Sequence, residues 1–233
     1  MSTSMIIPAA GIGTRMNFPM AKQFYELLGM PVILHLLKRV DMVSEISEII
    51  VALRKSELEG FNAIINGAGI SKPVKTVIGG EARQESVRIG LKAANPESKI
   101  IMIHDAVRPL VTPNLMIESI ERTKELKATV AAVQVKDTIK EVKDGVVVRT
   151  LKRDALYAIQ TPQTFERGVI VEAHENAFSK GLQGTDDAAL VEELDINVHL
   201  IPGSYDNIKI TTYDDFAIAE SILQLQKHSL HYF

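Results

Sequence analysis

Residues 6–24, IIPAAGIGTRMNFPMAKQF, put Gly11 and Gly13 in a short turn after an apolar run, with Arg15 and Lys22 just downstream. Glycines at that spacing let backbone N–H groups converge on an anion, and the two cations add charge at the same place. Two common phosphate loops do not fit. The G-x-G-x-x-G turn needs a third glycine where Met16 stands, and Arg54 follows the second strand where a ribose would want a carboxylate. The G-x-x-x-x-G-K-[ST] loop is absent. Taken alone, the stretch is equally a plain turn with two solvated cations, because short glycine motifs recur by chance.

Further polar clusters fall where strands should end, which is where open α/β sheets bind ligands. Gly79-Gly80-Glu81-Ala82-Arg83 would let backbone approach a flat base, with Ser86 a turn beyond. HDAVRP (104–109) brings Asp105, Ala106 and Arg108. Asp137-Thr138 and Gln160-Thr161-Pro162-Gln163 follow two more strands. Asn207, Lys209 and Thr211 alternate with Ile208 and Ile210, so a strand over 207–211 would carry them on one polar face. A lysine inside a buried sheet needs an anion to meet.

Plain structural roles stand beside these readings. Asp105 can close an Asx-turn, and Arg108 can be a solvated loop cation. His104 reads as a hydrogen-bonded strand-end residue, with no partner to make it a base. Thr185-Asp186-Asp187 reads as a helix N-cap with acidic first-turn residues. Taken together, the strand ends favour a phosphate-rich ligand.

The chain must position these groups with 233 residues, 46% of them apolar and 24% charged, the balance of a globular protein. It has no cysteine, which removes disulfides, thiolate nucleophiles and zinc–thiolate or iron–sulfur sites. A net charge of −3 argues against a nucleic-acid partner and makes any anion site a local concentration of cations. MSTS runs straight into the first apolar segment, with no signal-peptide pattern and no run long enough to span a membrane. A cytoplasmic protein is the expectation.

Strands are predicted at MIIPAA, 48–53, 74–78, 99–104, 129–135, near 157–160, at 197–201 and at 207–211. Helices are predicted from Pro31, over 55–68, 83–94, 113–126, 166–180, 185–194 and 213–227. This alternation predicts a single α/β domain over 1–233, a Rossmann-like three-layer sandwich with a mostly parallel mixed sheet. It breaks at 137–156, where two β-rich arms flank Asp144-Gly145, a hairpin signal read as a projecting arm.

The ordered motifs PAAGIGTRM, KQF, GGEARQESVRIGL, HDAVRP, DTIK, QTPQTF, TDDAALVE and NIKIT resemble those of the 2-C-methyl-D-erythritol 4-phosphate cytidylyltransferase family, over about residues 5 to 220. The ribitol-5-phosphate cytidylyltransferases share many of them but tend to begin Ala-Gly-Gly where this chain has Ala9-Ala10-Gly11. A non-catalytic nucleotide-binding protein is the other alternative. Ala21 stands where the family usually has Pro, and Tyr157 where Trp is common; neither change removes a charge.

The resemblance implies condensation of CTP with the polyol phosphate, with Mg²⁺ as cofactor. It implies that Arg15, Lys22 and Lys209 carry the charge stabilisation. Ala9, Ala10, Gly11, Gly13, Gly80, Glu81, Ser86, Asp105 and Ala106 would bind the nucleotide. Arg108, Thr138, Arg153 and Thr161 would bind the sugar phosphate. It also implies a homodimer in which each arm reaches the partner's site.

Overall fold

The computed structural model describes residues 2–11 and 21–229, with side chains to residue 226. In chain order the elements are β1 Thr3–Pro8, β2 Glu26–Leu27, β3 Met30–Pro31, α1 Val32–Asp41, β4 Ile46–Leu53, α2 Leu58–Ile65, β5 Val74–Ile78, α3 Arg83–Ala93 and β6 Ile100–Ile103. There follow α4 Pro113–Leu126, β7 Ala128–Gln134, β8 Lys140–Lys143, β9 Val146–Thr150, β10 Tyr157–Glu166, α5 Arg167–Lys180, α6 Asp187–Glu192, β11 His199–Pro202 and α7 Tyr213–Ser229.

Seven strands form one sheet in the order β11-β7-β10-β6-β1-β4-β5. Its pairs are parallel except those of β10, which runs antiparallel to both β6 and β7. The mostly parallel mixed sheet is therefore as the sequence predicts. Strand periodicity explains the layers. Met5 and Ile7 of β1 join one core with Ile33, Leu36, Leu37 and Val40 of α1, Phe61 of α2 and Met116 and Ile120 of α4. Ile6, one residue out of phase, joins the opposite core with Val87 of α3, Ile170 and Ala173 of α5 and Leu190 of α6. A third cluster seats Ala219 and Leu223 of α7 against Leu27, Val32, Leu110 and Ile210.

Local chemistry sets several boundaries. Thr112 caps α4, its hydroxyl accepting from Leu115 N–H at 3.2 Å, and Pro113 fills the first helical position. Asp144 and Gly145 both take positive φ, 50° and 79°, as the tight β8–β9 turn requires.

Four expectations need correction. Pro31 caps α1 instead of opening it. The helix expected over 55–68 is a 3₁₀ turn, Lys55–Glu57, followed by the shorter α2. The strand near 157–160 continues to Glu166, so Gln160-Thr161-Pro162-Gln163 lies within β10 and not after it. Residues 207–211 form no strand. They make an extended strap outside the sheet, tied to the loop after β6 by Ile210 N–H to the Val107 carbonyl at 2.9 Å. Ile210 is fully buried under α7, so apolar packing and not a ladder partner sets the alternation there.

Candidate active site

Strands β1, β5 and β6 are parallel, so their C-terminal ends deliver residues 9–11, 79–82 and 104–108 to the same sheet edge. β10 adds to that edge from the other direction. Its register sets Gln163 opposite Ile103, so Thr161 runs past the end of β6 and lies beneath Asp105. The strap 207–211 closes the far wall. Together they frame a cleft of about 300 Å³, lined by Ala9, Ala10, Gly11, Lys22, Gln23, Arg83, Ser86, Asp105, Ala106, Lys209 and Thr211, among others.

Asp105 is the carboxylate of this cleft among the described residues. Oδ2 pairs with Lys209 Nζ at 2.8 Å, and Oδ1 accepts from Arg83 Nε at 3.0 Å. Arg108 Nε lies 3.9 Å from Oδ2. The Asp105 N–H donates to Thr161 Oγ1 at 3.1 Å, which fixes the backbone. Burial would raise the Asp105 pKa. Arg83, then Lys209, overcome that effect and hold the carboxyl well below the usual range, so it stays ionised at neutral pH.

Lys22 donates to the Thr211 carbonyl at 2.7 Å, so the strap that carries Lys209 also holds Lys22. Gln23 Nε2 bonds the Ala9 carbonyl at 2.6 Å, tying the far end of the glycine loop back to β1. At the other end of the cleft, Ser86 Oγ accepts from Gly80 N–H at 3.2 Å and donates to the Ala82 carbonyl at 3.1 Å. Gly79 is required by contact. A Cβ there would sit 2.6 Å from the Ala10 methyl and 2.9 Å from Ser86 Oγ.

The structure thus gathers Ala9, Ala10, Gly11, Lys22, Ser86, Asp105, Ala106 and Lys209 around one cleft, with Gly80 and Thr161 held against it. Glu81 is exposed beside Gly80. Arg108 stands behind the lining residues, near Asp105, and its Nη1 donates to the Asn207 carbonyl at 2.7 Å. Thr138 and Arg153 are exposed on the arm, where Arg153 Nη1 bonds the Lys136 carbonyl at 3.1 Å. Gly13 and Arg15 lie outside the described residues.

His104 is fully buried, with Nε2 donating to the Arg108 carbonyl at 3.1 Å. Burial pushes its pKa down to about 4, so it is neutral near pH 7 and shapes the 104–108 loop. That agrees with the structural reading of its sequence position. Asp186 caps α6 as expected, accepting from Ala189 N–H at 2.9 Å. Asp187 is different. It is 1% exposed and pairs with Arg83 Nη1 at 2.7 Å. Neither Arg83 nor Asp187 stands out as a site residue in the sequence. The one available signal is that Arg83 and Ser86 share a helix face at i, i+3 behind the paired glycines.

A cleft at the strand ends of a mostly parallel sheet, with a carboxylate held between cations and a lysine on the facing strap, suits a phosphate-rich ligand such as a nucleotide. The model of the family 2-C-methyl-D-erythritol 4-phosphate cytidylyltransferase (IspD) matches residues 3–225. A protein of that name from Bacillus licheniformis is 42% identical over 99% of this chain and all of its own length. One from Clostridioides difficile is 43% identical over 96% of this chain and 94% of its own. The crystal structure of 4-diphosphocytidyl-2C-methyl-D-erythritol synthase from Anaerococcus prevotii superposes with a TM-score of 0.85 at 35% identity, covering 96% of each chain. The chain belongs to the 2-C-methyl-D-erythritol 4-phosphate cytidylyltransferase family.

Proposed function

We propose that the chain joins CTP to 2-C-methyl-D-erythritol 4-phosphate, giving 4-diphosphocytidyl-2-C-methyl-D-erythritol and pyrophosphate, in non-mevalonate isoprenoid precursor synthesis. The observation that carries this reading is the Asp105 cleft with Lys209 on its strap wall and Lys22 bonded to that strap, in a chain of that family.

An oxygen of the acceptor's phosphate monoester attacks the α-phosphorus of CTP. The bond from that phosphorus to the bridging oxygen breaks, and pyrophosphate leaves. The monoester's second pKa is about 6, so the nucleophile is largely dianionic near neutral pH and needs no base. The neutral, buried His104 is consistent with that. The obstacle is to bring two polyanions into line and to stabilise charge on the α-phosphate and the leaving group.

Lys209 suits the α-phosphate. Asp105 takes one of its donors and fixes the ammonium, while two others remain for phosphate oxygens. Lys22, with Arg15 and the backbone of Gly11 and Gly13, suits the β- and γ-phosphates. Gly80, Glu81 and Ser86 border the cytosine, and Ala9, Ala10, Asp105 and Ala106 border the ribose. Mg²⁺ fits as a partner of the triphosphate, because one carboxylate plus substrate phosphates is its usual donor set. Asp105 would be that carboxylate, and no group of three or more His, Asp or Glu side chains that could hold a metal occurs among the described residues. When bound there, such an ion would offset charge on the triphosphate.

In this reading Arg108 and Thr161 serve the sugar phosphate from this chain, and Thr138 and Arg153 from the arm. The arm is exposed on both strands, with Val142, Val146, Val147 and Val148 each more than half exposed. A lone two-stranded hairpin with apolar side chains in water is marginal. This supports a homodimer in which the arm lies over the partner and completes its site. No helix among the described residues is long and apolar enough to cross a membrane, and we place the enzyme in the cytoplasm.

Pyrophosphate release with Mg²⁺ and CTP, measured separately with 2-C-methyl-D-erythritol 4-phosphate and D-ribitol 5-phosphate, tests the reading. Release with the first acceptor is expected. Release only with the second would overturn the substrate, and CTP binding without release would overturn the activity.

A further inference from the structure

Asp105 is joined to a chain of charged groups that runs from the cleft wall at Arg83 into the interior at Asp187 and His174. Arg83, the first residue of α3, spans two carboxylates, with Nε to Asp105 Oδ1 at 3.0 Å and Nη1 to Asp187 Oδ2 at 2.7 Å. The second oxygen of Asp187, Oδ1, accepts from Nε2 of the buried His174 on α5 at 3.1 Å. The backbone around Asp187 is held as firmly. Gln163 of β10 accepts from the Asp187 N–H at 3.1 Å and donates to Asp186 Oδ2 at 2.7 Å.

A buried carboxylate is costly unless its charge and lone pairs are met. Here both oxygens of Asp187 are met, by Arg83 and by His174. We propose that Asp187 and Arg83 are positioning residues for the transfer reaction, setting the orientation of Asp105 and, through it, the place of the Lys209 ammonium in the cleft. The proposal rests on the function given above.

The reasoning is geometric. A guanidinium is a rigid planar fork, so fixing Nη1 on Asp187 fixes the direction of Nε. That direction fixes Asp105 Oδ1. With Oδ1 taken, only Oδ2 is presented to Lys209, at 2.8 Å. Asp187 also balances the Arg83 charge from the side away from the cleft. Without it, an arriving triphosphate would draw Arg83 outward, and Lys209 could settle on either Asp105 oxygen. A simple staple between α3 and α6 would instead affect only the folded fraction.

The test is a double-mutant cycle on pyrophosphate release with Mg²⁺, CTP and 2-C-methyl-D-erythritol 4-phosphate, using Asp187→Asn, Arg83→Gln and the pair. Asp187→Asn is expected to lower kcat on the order of 100-fold, as misplacement of a charge-stabilising group does, with KM for both substrates little changed. In the Arg83→Gln background it should add no further loss, because its route to the site is already cut. An unchanged kcat, losses that multiply in the double variant, or a loss that tracks the folded fraction by circular dichroism would each overturn the proposal. If Asp187→Asn does not fold, Arg83→Lys carries the test. It keeps the charge but not the fork, so full kcat there refutes the positioning role. A wild-type enzyme that releases no pyrophosphate with this pair would refute the functional reading itself.

Discussion

Acidification from about pH 7.5 to about pH 5 should cost the fold about 2 kcal/mol through His104 alone. The imidazole is fully buried, and Nδ1 has no hydrogen-bond partner among the described residues. Burial lowers its pKa from the ordinary 6.5 to about 4. Between those values the unfolded chain binds a proton that the folded chain refuses. Stability therefore falls as pH drops through that window and recovers as pH rises. The full difference is worth about 3 kcal/mol, of which about 2 kcal/mol is gone by about pH 5. Asp105 and Asp187 are both held below the usual carboxylate range, so they remain ionised over this interval and contribute little to the slope. The assay is urea unfolding at both pH values for wild type and His104→Gln. The glutamine amide can still donate to the Arg108 carbonyl but does not titrate. The wild-type loss on acidification should exceed the variant's by about 2 kcal/mol. Equal losses would refute the claim that burial keeps His104 neutral.

Lys209→Ala and Lys22→Ala should each lower kcat about 100-fold or more, since each removes a donor from developing phosphate charge; near-normal turnover would reassign the charge-stabilising site. Gly79→Ala should raise KM for CTP far more than Gly80→Ala. The first pushes against the Ala10 methyl and Ser86, whereas the second meets the side chain of Glu85, which can swing aside; equal effects in steady-state kinetics would refute the claim that contact with Ala10 and Ser86 is what requires glycine at 79. Mixed dimers of Lys22→Ala and Arg153→Ala subunits should recover activity that neither parent shows, and no recovery in verified mixed dimers would argue that each site is built from one chain.

Much of the fold was legible because its determinants are local. The alternation of Met5, Ile6 and Ile7 assigns β1 to two opposed cores, and Thr112-Pro113 starts α4 by capping and by fixed φ. Asp144-Gly145 turns the arm, and Asp186 caps α6. The strand-end rule also brought most of the cleft together, because parallel strands bring their C-terminal loops to one edge.

The same local rules misread residues 207–211. Alternation of Ile208 and Ile210 with polar neighbours is what a strand shows, yet it also suits an extended strap with one face under α7. Only the packing of Ile210 in that cluster decides between them. The direction of β10, which brings Thr161 under Asp105, is likewise a property of its neighbours in the sheet.

By itself, the sequence determined most of the elements, their order, the cleft-edge motifs and the family, because each of these is written in residues a few positions apart. The tertiary structure alone decided which charges meet. Arg83 finds Asp105 22 positions away and Asp187 104 positions away. Asp187 reads as one more acidic first-turn residue until the packing of α5, α6 and β10 removes it from water. Once buried, its charge must be met, and that requirement ties it to Arg83 and so to the cleft.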